Sequence, residues 1–263
     1  MKLKSAIFFT LVFAISSSVF AQKTEPAKSA PDAKAGADKT VQTAKLPTVK
    51  DVLDKYVAAL GGRAANEKIK TRTMKGTIEL APMGIKGTVE SQSVAPDKSY
   101  TKMNLAGIGE MIESFDGKTS WSVNPLQGNR DKTGEELLQT KLVNNFYREI
   151  NLDKLYSKME VKSVEKIGDK DAYVVVGTPE GLTPETFYFD KQTGLILRAD
   201  SVLISPEGKI PAKTFYEDFR EVDGVKIPHK IRAVTPQFEI ITTVTEVKHG
   251  APVDEAKFAK PKQ

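Results

Sequence analysis

The chain reads as mainly β with a few helices: one continuous, strongly curved antiparallel sheet covered on one side by short helices. Three observations predict this. Roughly ten or eleven short segments alternate apolar and polar residues, at the spacing of an all-β sandwich or barrel. Turn signals separate them, among them Pro96-Asp97, Asp116-Gly117, Gly168-Asp169-Lys170 and Asp223-Gly224. Two further segments carry a helical period, and nothing between the two sets of strands has the composition of a linker. A sheet this large must cover its apolar face, which assigns the helices to one side.

The first residues stand apart from that fold. "MKLK" is a short basic stretch, the strongly apolar run from Ala6 to Ile15 is too short to span a bilayer, and Val19-Phe20-Ala21 suits cleavage. A secretory signal peptide over 1–21, cleaved after Ala21, is the expectation, with the protein in the periplasm. Residues 22–46 are rich in Ala, Lys, Pro and Asp with almost nothing to bury, and read as a disordered linker before a single domain over 47–263. The chain has no cysteine, which excludes disulfides, thiolate metal sites and a lipid anchor on a cleavage-point cysteine. Net charge is +5, and loss of Lys2 and Lys4 with the leader leaves +3. Acids and bases are interleaved, so a nucleic-acid surface is not expected, while transient contact with anionic headgroups is compatible with the charge.

Taken in order, Thr48 caps a helix through "VKDVLDKYVAALGG", where Val49, Val52, Leu53, Tyr56, Val57 and Leu60 form one stripe and Gly61-Gly62 stops it. The period then changes to two. Met74, Ile78 and Leu80 share a face, followed by Ile85 and Val89 after a Pro-Met-Gly turn and by Met103 and Leu105 after Pro96-Asp97. "GEMIESF" and "TSWSV" continue the meander around Asp116-Gly117, which sets the register of the only tryptophan, Trp121. In "GEELLQTKLVNNFYREIN", Leu138, Leu142 and Phe146 recur every four residues with Val143, Tyr147 and Ile150 beside them, predicting a second amphipathic helix. Strands resume from "MEVKSVEKI" to "QFEIITTVTEV".

Catalytic constellations are not visible. His229 and His249 stand alone on strand segments, outside any metal-ligand spacing, and no Gly-x-Ser-x-Gly elbow occurs. Glu217 and Asp218 are adjacent on a strand and point to opposite faces, so they cannot converge as an acid-base pair; Lys226 and Lys230 are their expected surface partners. No cofactor, metal or enzymatic activity is expected. Phe187, Phe189, Phe215, Phe219, Phe238 and Trp121 lie among aliphatic neighbours. They fill a core or line the cavity that a many-stranded barrel encloses, with the second helix as plug or lid.

The leading helix, "TRTMKGTIEL", "FDGKTSWSVNP", "ETFYFDKQTGLILR" and "YEDFREVDGVKIPHKIR" together resemble the outer-membrane lipoprotein-sorting protein family, with its LolA/LolB-like fold, from Pro47 to about Pro261. The resemblance implies an incomplete, unclosed antiparallel barrel with helices on one side and an apolar cavity that receives acyl chains of lipid or lipoprotein. It makes Arg72 the candidate for the arginine that gates a carrier's cavity. The cavity candidates are Met74, Ile78, Val89, Met103, Trp121, Leu138, Leu142 and Phe146. A monomer is expected. The second reading is a periplasmic sensor or adaptor whose partner is another periplasmic or membrane protein.

Overall fold

In a computed structural model, residues 45–260 are described apart from Pro82 and Gln127. The leader and all but the last two residues of the expected linker lie outside the described residues. Two helices open the domain, α1 (Val49–Ala59) and α2 (Arg63–Lys68). Six strands follow: β1 (Thr71–Ala81), β2 (Ile85–Val94), β3 (Lys98–Leu105), β4 (Gly109–Phe115), β5 (Ser120–Val123) and β6 (Arg130–Lys132). After α3 (Gly134–Val143), a 3-10 turn (Arg148–Ile150) and α4 (Leu152–Leu155), seven more complete the sheet. These are β7 (Tyr156–Ile167), β8 (Lys170–Pro179), β9 (Glu185–Asp190), β10 (Ile196–Ser205), β11 (Gly208–Val222), β12 (Val225–Val234) and β13 (Glu239–His249).

All thirteen belong to one sheet, in the order β6-β5-β4-β3-β2-β1-β13-β12-β11-β10-β9-β8-β7. Every neighbour pair is antiparallel. The sheet is thus two meanders joined through β1 and β13, and it is unclosed, with β6 and β7 as its edges. Both edges resist further pairing. β6 is only three residues long, too short for its alternation to show in the sequence, and β7 carries bulges and the exposed charges Lys158, Glu160 and Lys162.

The helix-covered inner face follows from register. Met74 lies opposite Ser91 on β2, which continues to Thr101 and Glu113, so these residues share a face, as do Ile78 and the Val89–Met103 pair. In the second half the inner face presents Val175, Phe187, Phe189 and Ile196 to Val52, Leu53, Tyr56 and Leu60 of α1, with the Tyr56 and Phe189 rings 4.9 Å apart. α1 begins with a reciprocal cap: the Asp51 amide donates to Thr48 Oγ1 at 3.2 Å and the Thr48 amide to Asp51 Oδ2 at 3.0 Å. Its other end is pinned to the sheet, the Lys226 amide donating to the Leu60 carbonyl at 3.0 Å.

The second helix is shorter than its periodicity predicts. It stops at Val143, and Phe146, Tyr147 and Ile150 continue in a turn and 3-10 segment. On the outer face the C-terminal segment covers β3–β5: Phe258 is buried there, and its carbonyl accepts from Trp121 Nε1 at 3.4 Å.

At Gly61 the end of α1 comes close to the sheet. The Gly61 φ is +105°, and a Cβ there would lie 2.1 Å from the Gly224 carbonyl oxygen. Gly61→Ala is expected to cost about 1–3 kcal/mol, read as a lower urea midpoint with unchanged slope; an unaltered midpoint would contradict this docking.

Candidate functional site

The connector from β6 to β7 crosses the inner face, and three contacts hold α3 there. Arg130 grips Glu136 with two bonds of 2.6 Å, Lys209 pairs with Glu135 at 2.8 Å, and Gln139 bonds to β10. β9 pairs with β10 only as far as Asp200 and Thr186. Beyond that point the Gln139 amide takes over the ladder, donating to the Val202 carbonyl at 2.7 Å and accepting from the Ile204 amide at 3.0 Å.

Two cavities adjoin beneath this connector, both walled by Glu149 and Tyr216. The larger, about 430 Å³, lies against α3 and is mixed: Ser99, Thr101, Ser120, Glu113, Lys132 and Glu136 line it together with Phe115, Leu203 and Ile204. The smaller, about 200 Å³, is mostly apolar, lying among Tyr56 and Leu60, Met74, Phe146, and Phe219, Ile227 and Ile231.

A buried charge network divides them. Arg148 donates to Glu149 at 2.9 Å, to Glu185 at 2.9 Å and to the Tyr156 hydroxyl at 2.6 Å. Glu149 also accepts from the Tyr56 hydroxyl at 2.5 Å, and Glu185 from Tyr156 at 2.8 Å. Burial alone would lower the Arg148 pKa, but Glu149, Tyr156 and Glu185 outweigh it and hold the guanidinium well above its ordinary value. Burial, reinforced by Glu149, pushes the Tyr56 hydroxyl well up and that of Tyr216 to about 12.

A second polar group reaches the smaller cavity from the sheet. Asp223 and Gly224 form a two-residue turn, both with positive φ, that joins β11 to β12 and sets Asp223 beside His249. Arg72 Nε donates to His249 Nε2 at 3.1 Å, so the neutral ring carries its proton on Nδ1, 3.0 Å from Asp223 Oδ2. Burial and then Arg72 lower the His249 pKa against the upward pull of Asp223. Burial also lowers the Arg72 pKa, partly offset by Glu149; its guanidinium remains charged and lies 5.4 Å from the Phe146 ring centroid.

The residues expected to line one cavity are dispersed. Met74 and Phe146 line the smaller cavity together. Ile78, Val89 and Met103 share the inner face but line neither cavity, and Leu142 packs in the core beneath α1. Leu138 is 43% exposed, because α3 turns Glu136, Gln139 and Thr140 inward instead. Trp121 requires correction: it pairs with Ser114 on the face opposite that of Glu113 and Phe115, under the C-terminal segment and away from both cavities. Lys226, expected in a surface ion pair, borders the smaller cavity, whereas Lys230 does pair with Glu217, at 2.9 Å. Nor is His249 alone, since it joins Arg72 and Asp223. One signal for the missed network was available: Glu149 falls seven residues after Leu142, in phase with the apolar stripe.

No family model matches the chain, and no curated protein matches it. Solved structures do. A DUF1329 family protein from Desulfovibrio piger superposes with a TM-score of 0.54 at 16% identity, covering 80% of this chain and 97% of that one. A LolA superfamily protein from Nitrosomonas europaea gives 0.53 at 15% identity over 82% and 99%. The chain has the LolA-like fold. A domain assigned to outer membrane lipoprotein sorting, from Vibrio parahaemolyticus, gives 0.50 at 13% identity over 78% and 97%. At these identities the likeness is one of fold.

Two outcomes are expected of the buried groups. Arg148→Met leaves Glu185 and Glu149 without their cation and is expected to cost about 3–5 kcal/mol in urea unfolding, with much of it regained on adding Glu185→Gln; no loss would contradict the network. A histidine with a lowered native pKa stabilises fully above its unfolded value of 6.5, and that stability is lost as pH falls through the native value. Between neutral and mildly acidic pH, the wild-type urea midpoint should therefore fall more steeply than that of His249→Gln; equal slopes would contradict the assignment.

Proposed function

We propose that the chain is a non-enzymatic lipid- or lipoprotein-binding protein of the periplasm that holds an acyl chain against Met74 and Phe146. The observation carrying this reading is the smaller cavity, an apolar space inside an unclosed sheet, bounded by α1, the turn after α3 and β1, β11 and β12. Each methylene moved there from water contributes about 0.8 kcal/mol, so a chain that is only partly accommodated is held without any reacting group. The likeness in fold to the lipoprotein-sorting domain supports the same reading, as does the leader-like sequence of 1–21 followed by the linker-like 22–46.

A second reading, an adaptor for a periplasmic or membrane protein, draws on α3, where Leu138 and Val143 are 43% and 51% exposed.

Native mass spectrometry of the protein purified from a Gram-negative periplasm, followed by organic extraction, separates these readings. The expected result is a stoichiometric acyl-containing ligand, with Phe146→Ala weakening its binding about ten-fold through loss of about 1–2 kcal/mol of apolar contact. Trp121 emission should stay unchanged on binding, since Trp121 lies on the outer face. An empty protein that also ignores added lipid would overturn the acyl reading and leave the adaptor.

A further inference from the structure

The smaller cavity has an uneven charge inventory. Its charged side chains are Arg72, Lys226 and Glu149. Glu149 is fully engaged, one oxygen with Tyr56 and the other with Arg148. Neither cation has a carboxylate within ion-pair distance among the described residues. Arg72 spends only its Nε on the protein, in the bond to His249, and its two Nη groups make no hydrogen bond among the described residues. Arg72 is half-buried, and its Nη groups are open to the cavity rather than sealed away from it, so donors of a fixed positive charge face the space where a ligand would lie. Glu149 offsets only part of the effect of burial, and the two Nη groups keep their donors for a ligand.

From this we infer that the smaller cavity binds a single-chain amphiphile with a compact anionic head, a carboxylate or phosphate monoester, whose oxygens take the free Nη groups of Arg72 while its chain lies against Met74, Phe146 and Ile231. This deepens the acyl-binding reading and rests on it. The planar fork of Arg72 matches a two-oxygen head. Asp223 and His249 fix the fork from behind: Asp223 accepts from Nδ1, which leaves Nε2 as acceptor for Arg72 Nε and turns the remaining donors elsewhere. Lys226, exposed at the border of the cavity, adds attraction without a fixed geometry. The Arg72 assigned here is a headgroup ligand rather than a gate.

The test compares laurate and dodecyl phosphate with the uncharged dodecanol by titration calorimetry, at mildly alkaline pH, with acetate and inorganic phosphate as chainless controls. Wild type is expected to prefer both anionic amphiphiles over dodecanol by about ten-fold or more. The preference should vanish in Arg72→Gln and shrink in Lys226→Gln, because both variants weaken the anionic amphiphiles by a larger factor than they weaken dodecanol. If Arg72→Gln does not fold, Lys226→Gln, a change at an exposed side chain, carries the comparison. Equal binding of laurate and dodecanol by wild type would overturn the headgroup assignment while the acyl reading stands. Failure of all three amphiphiles to bind would overturn both. Acetate or inorganic phosphate binding as tightly as the amphiphiles would also overturn the proposal, by showing a free-anion site to which the chain contributes nothing.

Discussion

The pairing of β1 with β13 is the constraint from which the rest of the interior follows. It joins the two meanders at the centre of the sheet and thereby sends β6 and β7 to opposite edges. Those edges are consecutive in the chain, so residues 133–155 must travel from one to the other. The shortest route crosses the inner face, and the connector therefore becomes the sheet's cover. Helix α1 closes the remaining part over β7–β10, where Phe187 and Phe189 would otherwise face water.

Because the connector enters the interior, so do its polar residues. An α3 with a continuous apolar stripe would have given one apolar hollow. Instead Glu136 and Gln139 turn inward to reach Arg130 and the stretch of β10 that β9 leaves open, and Arg148 and Glu149 follow in a turn that buries the guanidinium while the Glu149 carboxylate stays half exposed. Ion pairs at such depth offset their desolvation only when well hydrogen bonded, and Tyr56, Tyr156 and Glu185 supply those bonds for every polar atom of the pair except Arg148 Nε, which is buried without a partner. The network works as a partition: a mixed lining with most of the hydroxyls and carboxylates on the α3 side, and mainly aliphatic and aromatic groups on the side of α1 and β12. Ligand chemistry inside this sheet thus depends on which side of Arg148 the ligand lies.

Much of the fold was legible in the sequence because strand alternation and turn chemistry are local. The capping residue Thr48, the turn at Asp223-Gly224 and the face shared by Met74, Ile78 and Val89 follow from spacing alone. The interior was less legible, since alternation tells which residues share a strand face but not what covers it. Trp121 illustrates the limit. Its register is set by the Asp116-Gly117 turn, yet the decisive fact is that Phe258, far along the chain, folds back over that face. Phe146 shows a different failure: its spacing continues the helical stripe, but the helix ends at Val143, and the ring reaches the cavity from a turn. The link between Arg72 and His249, across the central strand pair, depends on the long-range pairing of β1 with β13 and leaves no local trace.

The most direct measurement is the anomalous diffraction of crystals of the protein grown with 11-bromoundecanoate. A bromine peak among Met74, Phe146 and Ile231, with density for the carboxylate at Arg72, is the result expected if the apolar side of the partition holds the chain. A peak in the larger cavity beside Glu113 and Lys132, or on the outer face near Trp121, would contradict it.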